Sequence, residues 1–215
     1  MSKIGFAEIW PVVHGERRAL LEDLRGLEPE AWHTPSWCPG WDVHDVLAHL
    51  IDSAKTTRLG FIRRMLAAGF DFDRDNARGV AQEKMNDPKL TLASLASVLD
   101  ATATPPANPA TRLVEAFVHG EDIRGPLGLA RSYSAGQVAH ALEYQLKTSV
   151  KMGGGKEKAT GWRLVASDTN FNHGSGPEVA GPVLSLLLAV SGRPVAREDF
   201  SGPGAADFVA QLRNR

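Results

Sequence analysis

Glu115 and His119 are the two residues whose types and spacing most directly suggest chemistry. They lie four positions apart in a segment of helical character. The apolar residues around them recur at helical spacing and are Leu113, Val114, Phe117 and Val118. In an α-helix, positions i and i+4 lie about 40° apart and one turn above each other. A carboxylate and an imidazole placed in this way can bind a single metal ion together.

His49 offers a third donor, in a separate apolar segment of helical character. Two imidazoles and one carboxylate suit zinc with water in the fourth position, and the same donors also accept iron(II), nickel or manganese. Polar groups near the apolar seam of a helical bundle cost kilocalories when they are buried unpaired, and a divalent ion satisfies three of them at once. The sequence therefore favours a metal site with an open position at His49, Glu115 and His119.

The same acid–histidine spacing recurs at Asp45 and His49, so the spacing alone also fits an ordinary hydrogen bond on a helix surface. If His49 binds a metal, Asp45 could orient its ring from one turn away. Asp122 lies three residues beyond His119 and could do the same for that ring, or act as a ligand itself.

Four other residues were considered for roles in a site. Cys38 is the only cysteine, which excludes a disulfide framework and a cysteine-based zinc cage, and it is interpreted as a packed residue of a loop. His173, in a turn-rich segment, is a candidate for reaching the cleft. Arg124 or Arg193 could bind an anion, although the sequence places neither of them in a cleft.

Composition narrows the class of protein. The chain has 215 residues, of which 43% are hydrophobic and 23% charged, and its net charge is −1. This balance is typical of a globular protein and gives no electrostatic case for binding nucleic acid or an anionic membrane. The first residues lack the apolar stretch of a signal peptide, and the longest apolar run, residues 183–190, is too short to span a bilayer. The expected location is the cytoplasm.

Periodicity predicts helices in the first two thirds of the chain and mixed structure after that. Helices are predicted over residues 11–27, 43–68, 77–85, from 91, around 115–119 and over 134–152. A flexible glycine joint follows at residues 153–156. Beyond it, strands are predicted over residues 161–167, 178–180 and 195–200, and helices over 182–190 and 205–212. We therefore expect a helical-bundle metal-binding domain at residues 1–152 and a small α+β domain at residues 160–215.

Two motifs resemble those of the mycothiol-dependent maleylpyruvate isomerase family. The first is residues 35–50, PSWCPGWDVHDVLAHL, and the second is residues 115–128, EAFVHGEDIRGPLG. Residues 168–182 and 186–193 are similar to the family's C-terminal domain. The resemblance implies a mainly α fold, in which a DinB-like four-helix bundle is followed by a small α+β domain. It also implies His49, Glu115 and His119 as metal ligands, usually of zinc.

The resemblance further implies a low-molecular-weight thiol, such as mycothiol, as cofactor. A free thiol has a pKa of about 8.5, and coordination to a metal deprotonates it. The resulting nucleophile could add to an electrophilic carbon, so we expect an isomerase or transferase that acts on a small electrophilic molecule. Two alternatives stay open at this point: a hydrolase that uses metal-bound water, and a noncatalytic protein whose ion only ties the bundle together.

Overall fold

The computed structural model describes residues 5–213, which form two compact units, 5–131 and 132–213. The first unit is helical. Its helices are α1 (Phe6–Leu24), α2 (Val43–Lys55), α3 (Arg58–Ala68), α4 (Phe72–Glu83), α5 (Pro88–Ser97) and α6. Helix α6 consists of three consecutive segments: α-helical Thr111–Val114, π-helical Glu115–His119 and α-helical Gly120–Arg124. A short 3-10 helix, Pro29–His33, precedes α2.

Helix α2 is the central element of this unit, since α4, α5 and α6 all pack against it, while α1 packs on α5 and α6. Its inward residues Val43, Val46, Leu47 and Ile51 are fully buried, at the helical spacing that the sequence displays. Asp42 caps its first turn and accepts a hydrogen bond from the backbone N–H of Asp45. The helix that carries His49 is therefore fixed by a cap at one end and by the core along its length.

The single helix predicted over residues 43–68 is wrong, because the chain breaks it into α2 and α3. Thr56 is extended, and the Thr57 hydroxyl accepts a hydrogen bond from the backbone N–H of Gly60 at the start of α3. Threonine hydroxyls compete with helical hydrogen bonds and favour caps, and two in a row end the first helix. Helix α1 also begins earlier than predicted, so Pro11 lies inside it.

The second unit contains α7 (Ala135–Lys147), a short helix α8 (Lys156–Ala159), strands β1 (Arg163–Ala166), β2 (Asn172–His173) and β3 (Glu178–Gly181), and helices α9 (Val183–Val190) and α10 (Ala205–Arg213). The strands form one sheet in the order β2-β1-β3, where β1 is antiparallel to β2 and parallel to β3. Helix α9 is buried along most of its length and packs on α7 and β1.

These elements confirm the predicted fold class, a mainly helical protein with a small α+β unit at its C-terminal end. The third predicted strand, at residues 195–200, is wrong: the chain there forms a 3-10 turn, Arg197–Asp199, and the third strand of the sheet is β2. By its contacts α7 lies in the second unit, whereas the sequence grouped it with the first. The limits 1–152 and 160–215, as parts that fold alone, stay a prediction. No helix among residues 5–213 is long and apolar enough to cross a membrane.

Arg64 links three helices of the first unit through an ion-pair network. Its guanidinium donates to both carboxylate oxygens of Asp52, at 2.6 and 2.9 Å, and to Oδ1 of Asp75 at 2.9 Å. Both carboxylates are buried, and Gly79 of α4 approaches so closely that a Cβ there would lie 2.3 Å from Asp52 Oδ2. The network therefore holds α3 and α4 against α2.

Replacing Arg64 with methionine is expected to lower the free energy of unfolding by about 3–5 kcal/mol, because two buried carboxylates would lose their cation. Arg63→Met is the matched control, since Arg63 is exposed on the same helix. Urea denaturation followed by circular dichroism measures both variants. Equal stability of the two would contradict a stabilising role for the network.

Candidate metal centre

His49 of α2 and His119 of α6 meet inside the helical unit. Their ring centroids are 4.9 Å apart and the rings are nearly perpendicular, at 83°. The ring of His49 also contacts the indole of Trp41, and these two centroids are 5.0 Å apart. Two of the three predicted ligands, which are distant in the sequence, are therefore neighbours in the fold.

The surroundings of the His49 imidazole disfavour its charged form. Burial is the largest cause, followed by the positive charges of His119 and Arg112, and together they lower its pKa to about 3. Its Nδ1 is buried and has no hydrogen-bond partner. A neutral imidazole keeps one nitrogen lone pair, which is the form that binds metals. A buried polar atom without a partner is costly, and a divalent ion beside this ring would relieve that cost.

Glu115 begins the π-helical segment that ends at His119. A π-helical turn closes with i→i+5 hydrogen bonds and is wider than an α-helical turn, so a step of four residues comes closer to one full turn. The two side chains therefore leave α6 on the same side, as the spacing predicts. Single π-helical turns are rare and occur frequently at functional sites.

One carboxylate oxygen of Glu115 is held by the protein. Its Oε2 accepts a hydrogen bond from Ser53 Oγ at 2.6 Å and lies 2.9 Å from Nη1 of Arg112. The same Nη1 donates to the carbonyl of Ser53 at 3.1 Å, and Arg112 is only 3% exposed. Oε1 of Glu115 takes part in none of these bonds. This arrangement fixes the carboxylate and leaves one oxygen for a ligand role.

Asp122 is the partner of His119. Its Oδ2 lies 2.8 Å from Nδ1 of His119, and the aspartate is fully buried. A carboxylate at Nδ1 accepts the proton there, so Nε2 carries the lone pair, as in the carboxylate–histidine pairs that support metal ligands. Asp122 therefore lies where it can orient the His119 ring, which is one of the two roles that the sequence suggested for it.

Cys38 is the residue that sequence reasoning placed elsewhere. Among residues 5–213, three side chains with metal-binding atoms all within 4.8 Å of one another are Cys38, His119 and Asp122. Spacing gave no sign of this proximity, since Cys38 lies in a loop before α2 and the other two lie on α6. Its place in the same motif as His49 was the one available signal. The set of His49, Glu115 and His119 as ligands stays a prediction.

The remaining candidates have other partners. Asp45 does not orient the ring of His49, because its carboxylate accepts the backbone N–H of Asp42 and binds Lys84 Nζ at 2.7 Å. Arg124 is fully buried and donates to Asp23 Oδ2 at 2.7 Å, so it serves packing within the first unit. His173 lies on β2 and lines a pocket of the second unit.

The donors present fit a divalent ion. Two imidazoles are in contact, one of them has a buried nitrogen without a partner, and Glu115 offers a carboxylate as a hard donor from the same helix as His119.

Part of the chain also matches a known protein family in sequence. The profile of the mycothiol maleylpyruvate isomerase N-terminal domain matches residues 13–107. The resemblance that the motifs predicted is confirmed. The matched range includes Cys38 and His49, whereas Glu115 and His119 lie beyond it.

The fold is similar to two solved structures. One is that of the mycothiol-dependent maleylpyruvate isomerase, with a TM-score of 0.61, and the other is of a histidine-to-alanine mutant with the same name, with a TM-score of 0.63. Each is 13% identical to this chain, and each match covers 95% of this chain and 97% of the other. At this identity the likeness concerns the fold. No curated protein matches the chain significantly.

The lowered pKa of His49 makes the stability of the metal-free protein depend on pH. Above pH 6.5 the ring is neutral in both the folded and the unfolded chain. As the pH falls from 6.5 towards 3, the unfolded chain binds the proton while the folded chain does not, so stability falls by up to about 1.4 kcal/mol per pH unit.

His49→Gln, which stays neutral, is expected to flatten this part of the profile. Metal is first removed with a chelator, and denaturant unfolding between pH 6.5 and 4.5 then measures how steeply the free energy of unfolding changes with pH in each protein. His33→Gln is the control, because the side chain of His33 is 71% exposed. A His49→Gln profile parallel to that of the original protein would show that His49 is not held neutral.

Proposed function

We propose that this chain is a divalent-metal enzyme that uses a low-molecular-weight thiol cofactor, such as mycothiol, to isomerise or transfer a group to a small electrophilic substrate. The metal, zinc in this proposal, is bound by His49, Glu115 and His119. The observation that carries the proposal is the contact of two half-buried imidazoles from separate helices, one with a buried nitrogen that has no protein partner. The proposed location is the cytoplasm.

The bound ion would keep a thiol in its nucleophilic thiolate form at neutral pH. The protein would do the rest. Ser53 and Arg112 hold one oxygen of Glu115, and Asp122 holds the ring of His119, so two of the three donors are oriented before the ion binds. The indole of Trp41 packs against the His49 ring at a tilt of 49° and adds to the contacts that hold it.

The reaction class comes from the resemblance rather than from the donors. A thiolate that adds to one carbon of a conjugated double bond turns that bond into a single bond, about which the chain can rotate before the thiolate leaves. Cis–trans isomerisation of this kind needs no oxidant and no second substrate. The names of the similar proteins, mycothiol-dependent maleylpyruvate isomerases, make this the first reaction to assay.

Removing either imidazole is expected to abolish stoichiometric metal binding. His49→Ala and His119→Ala are the test variants, and His33→Ala is the control because its side chain is exposed. Elemental analysis of purified protein gives the metal content, and circular dichroism checks that helix content is retained. Unchanged metal in both test variants would remove the proposed site.

The thiol requirement separates the enzyme proposals. Metal-loaded protein is expected to bind mycothiol in a calorimetric titration, metal-free protein is not, and isomerisation of maleylpyruvate is expected only when the thiol is present. Hydrolytic turnover without any thiol would favour the hydrolase. Tight metal binding with neither thiol binding nor turnover would favour a noncatalytic metal protein.

Ser53→Ala is expected to weaken metal binding by about 10–100-fold, the effect of removing a partner that orients a ligand. The reason is that Glu115 Oε2 would lose its 2.6 Å hydrogen bond and only Arg112 would hold the carboxylate. Ser97→Ala is the control, since its hydroxyl donates to the carbonyl of Ser94 on α5. Competition with a chromophoric chelator measures the affinity. Equal affinity in the two variants would show that Ser53 does not position Glu115 for a metal.

A further inference from the structure

Cys38 sits in a loop whose backbone is closed by its own hydrogen bonds. Ser36 Oγ donates to the carbonyl of Trp41 at 2.8 Å and accepts the backbone N–H of Cys38 at 3.1 Å. The backbone N–H of Trp41 donates to the carbonyl of Cys38 at 3.2 Å. The thiol is therefore carried by a defined turn and not by a loose connection.

The same loop is fastened to α6, the helix that carries His119. The backbone N–H of Trp37 donates to the carbonyl of Asp122 at 3.1 Å. The indole of Trp37 lies over Gly125, where a Cβ would come within 2.2 Å of the ring, so only glycine permits this approach. Both contacts are made by Trp37, the residue before Cys38, and they hold the start of the loop against α6.

This fastening brings the sulfur of Cys38 to within 4.8 Å of donor atoms of both His119 and Asp122. Three atoms no more than 4.8 Å apart always have some point that lies within about 2.8 Å of all of them, while zinc prefers about 2.3 Å to sulfur and 2.0–2.1 Å to nitrogen. A movement of roughly half an ångström would therefore bring the Cys38 sulfur and the His119 ring within reach of one ion, while Asp122 stays the partner of His119. Side-chain rotation can supply a movement of that size.

We propose that Cys38 is a sulfur ligand of the divalent ion bound at His119. This inference rests on the metal proposed above, and it adds a soft donor to a set that was nitrogen and oxygen alone. A thiolate ligand selects zinc over manganese, magnesium or calcium, because soft sulfur suits the borderline-soft ion and not the hard ones. The ion expected at this site is thus a borderline-soft cation that prefers tetrahedral coordination.

The test uses cobalt(II) as the probe in the full-length chain. Metal-free protein is prepared with a chelator, kept reduced with a phosphine so that no other thiol is present, and titrated with cobalt(II) in a spectrophotometer. A thiolate-to-cobalt charge-transfer band in the near ultraviolet is expected to rise in step with the visible bands and to stop at one equivalent. Because Cys38 is the only cysteine, the unaltered protein alone assigns that band.

Variants locate the sulfur relative to the histidine. Cys38→Ser is expected to lose the near-ultraviolet band while visible cobalt bands persist, and His119→Ala is expected to lose both. His33→Ala should keep both, since its exposed ring lies in the turn before the Cys38 loop. A near-ultraviolet band that survives in His119→Ala would overturn the shared site.

Two further outcomes separate this inference from the proposed function. Stoichiometric cobalt with visible bands and no charge-transfer band would overturn the role of Cys38 and leave the metal site standing. Absence of any cobalt binding, with circular dichroism showing a folded protein, would overturn both.

Discussion

Polar side chains that enter the apolar interior of the helical unit must each find a partner, and this constraint shapes everything around His49. Arg112 is almost completely buried, so it is paired with Glu115 and with two oxygens of Ser53. Asp122 is fully buried and meets the ring of His119. After these pairings the Nδ1 of His49 is left without a protein partner. His14 Nε2 and Arg112 Nε are also buried without a partner, but only the His49 nitrogen belongs to the ring that touches a second imidazole.

The backbone of α6 is adapted to the same place. Its first and last segments are α-helical, and the π-helical turn between them spans Glu115 to His119. A π-helical turn interrupts the regular hydrogen bonding of an α-helix, and such turns are found frequently at functional sites. Here the turn directs the carboxylate towards Ser53 of α2 and the imidazole towards His49 of the same helix. One helix therefore presents two donors to one neighbour.

The sequence predicted the parts of this site that periodicity can carry. The apolar spacing around His49 and around Glu115 placed both on helices with buried faces, and the motif resemblance paired those helices. Cys38 could not be predicted in this way, because its position depends on a loop that docks through the backbone of Trp37 and the missing side chain of Gly125. The break before α3 was missed for a local reason, since hydroxyl capping at Thr57 outweighed a continuous apolar stripe.

Charge balance connects the metal, the thiol cofactor and Cys38. The two carboxylates of Glu115 and Asp122 would face the guanidinium of Arg112 and the two charges of the ion, and Arg17, whose charge also acts on Glu115, adds to the positive side. A buried excess charge costs several kcal/mol, so the site favours one more anion. A thiolate is such an anion, whether it comes from Cys38 or from a cofactor. A metal-bound hydroxide would balance the charge equally, but the loop already holds a sulfur beside His119. The charge count and the sulfur near His119 together therefore favour the thiol-based proposal over the hydrolase.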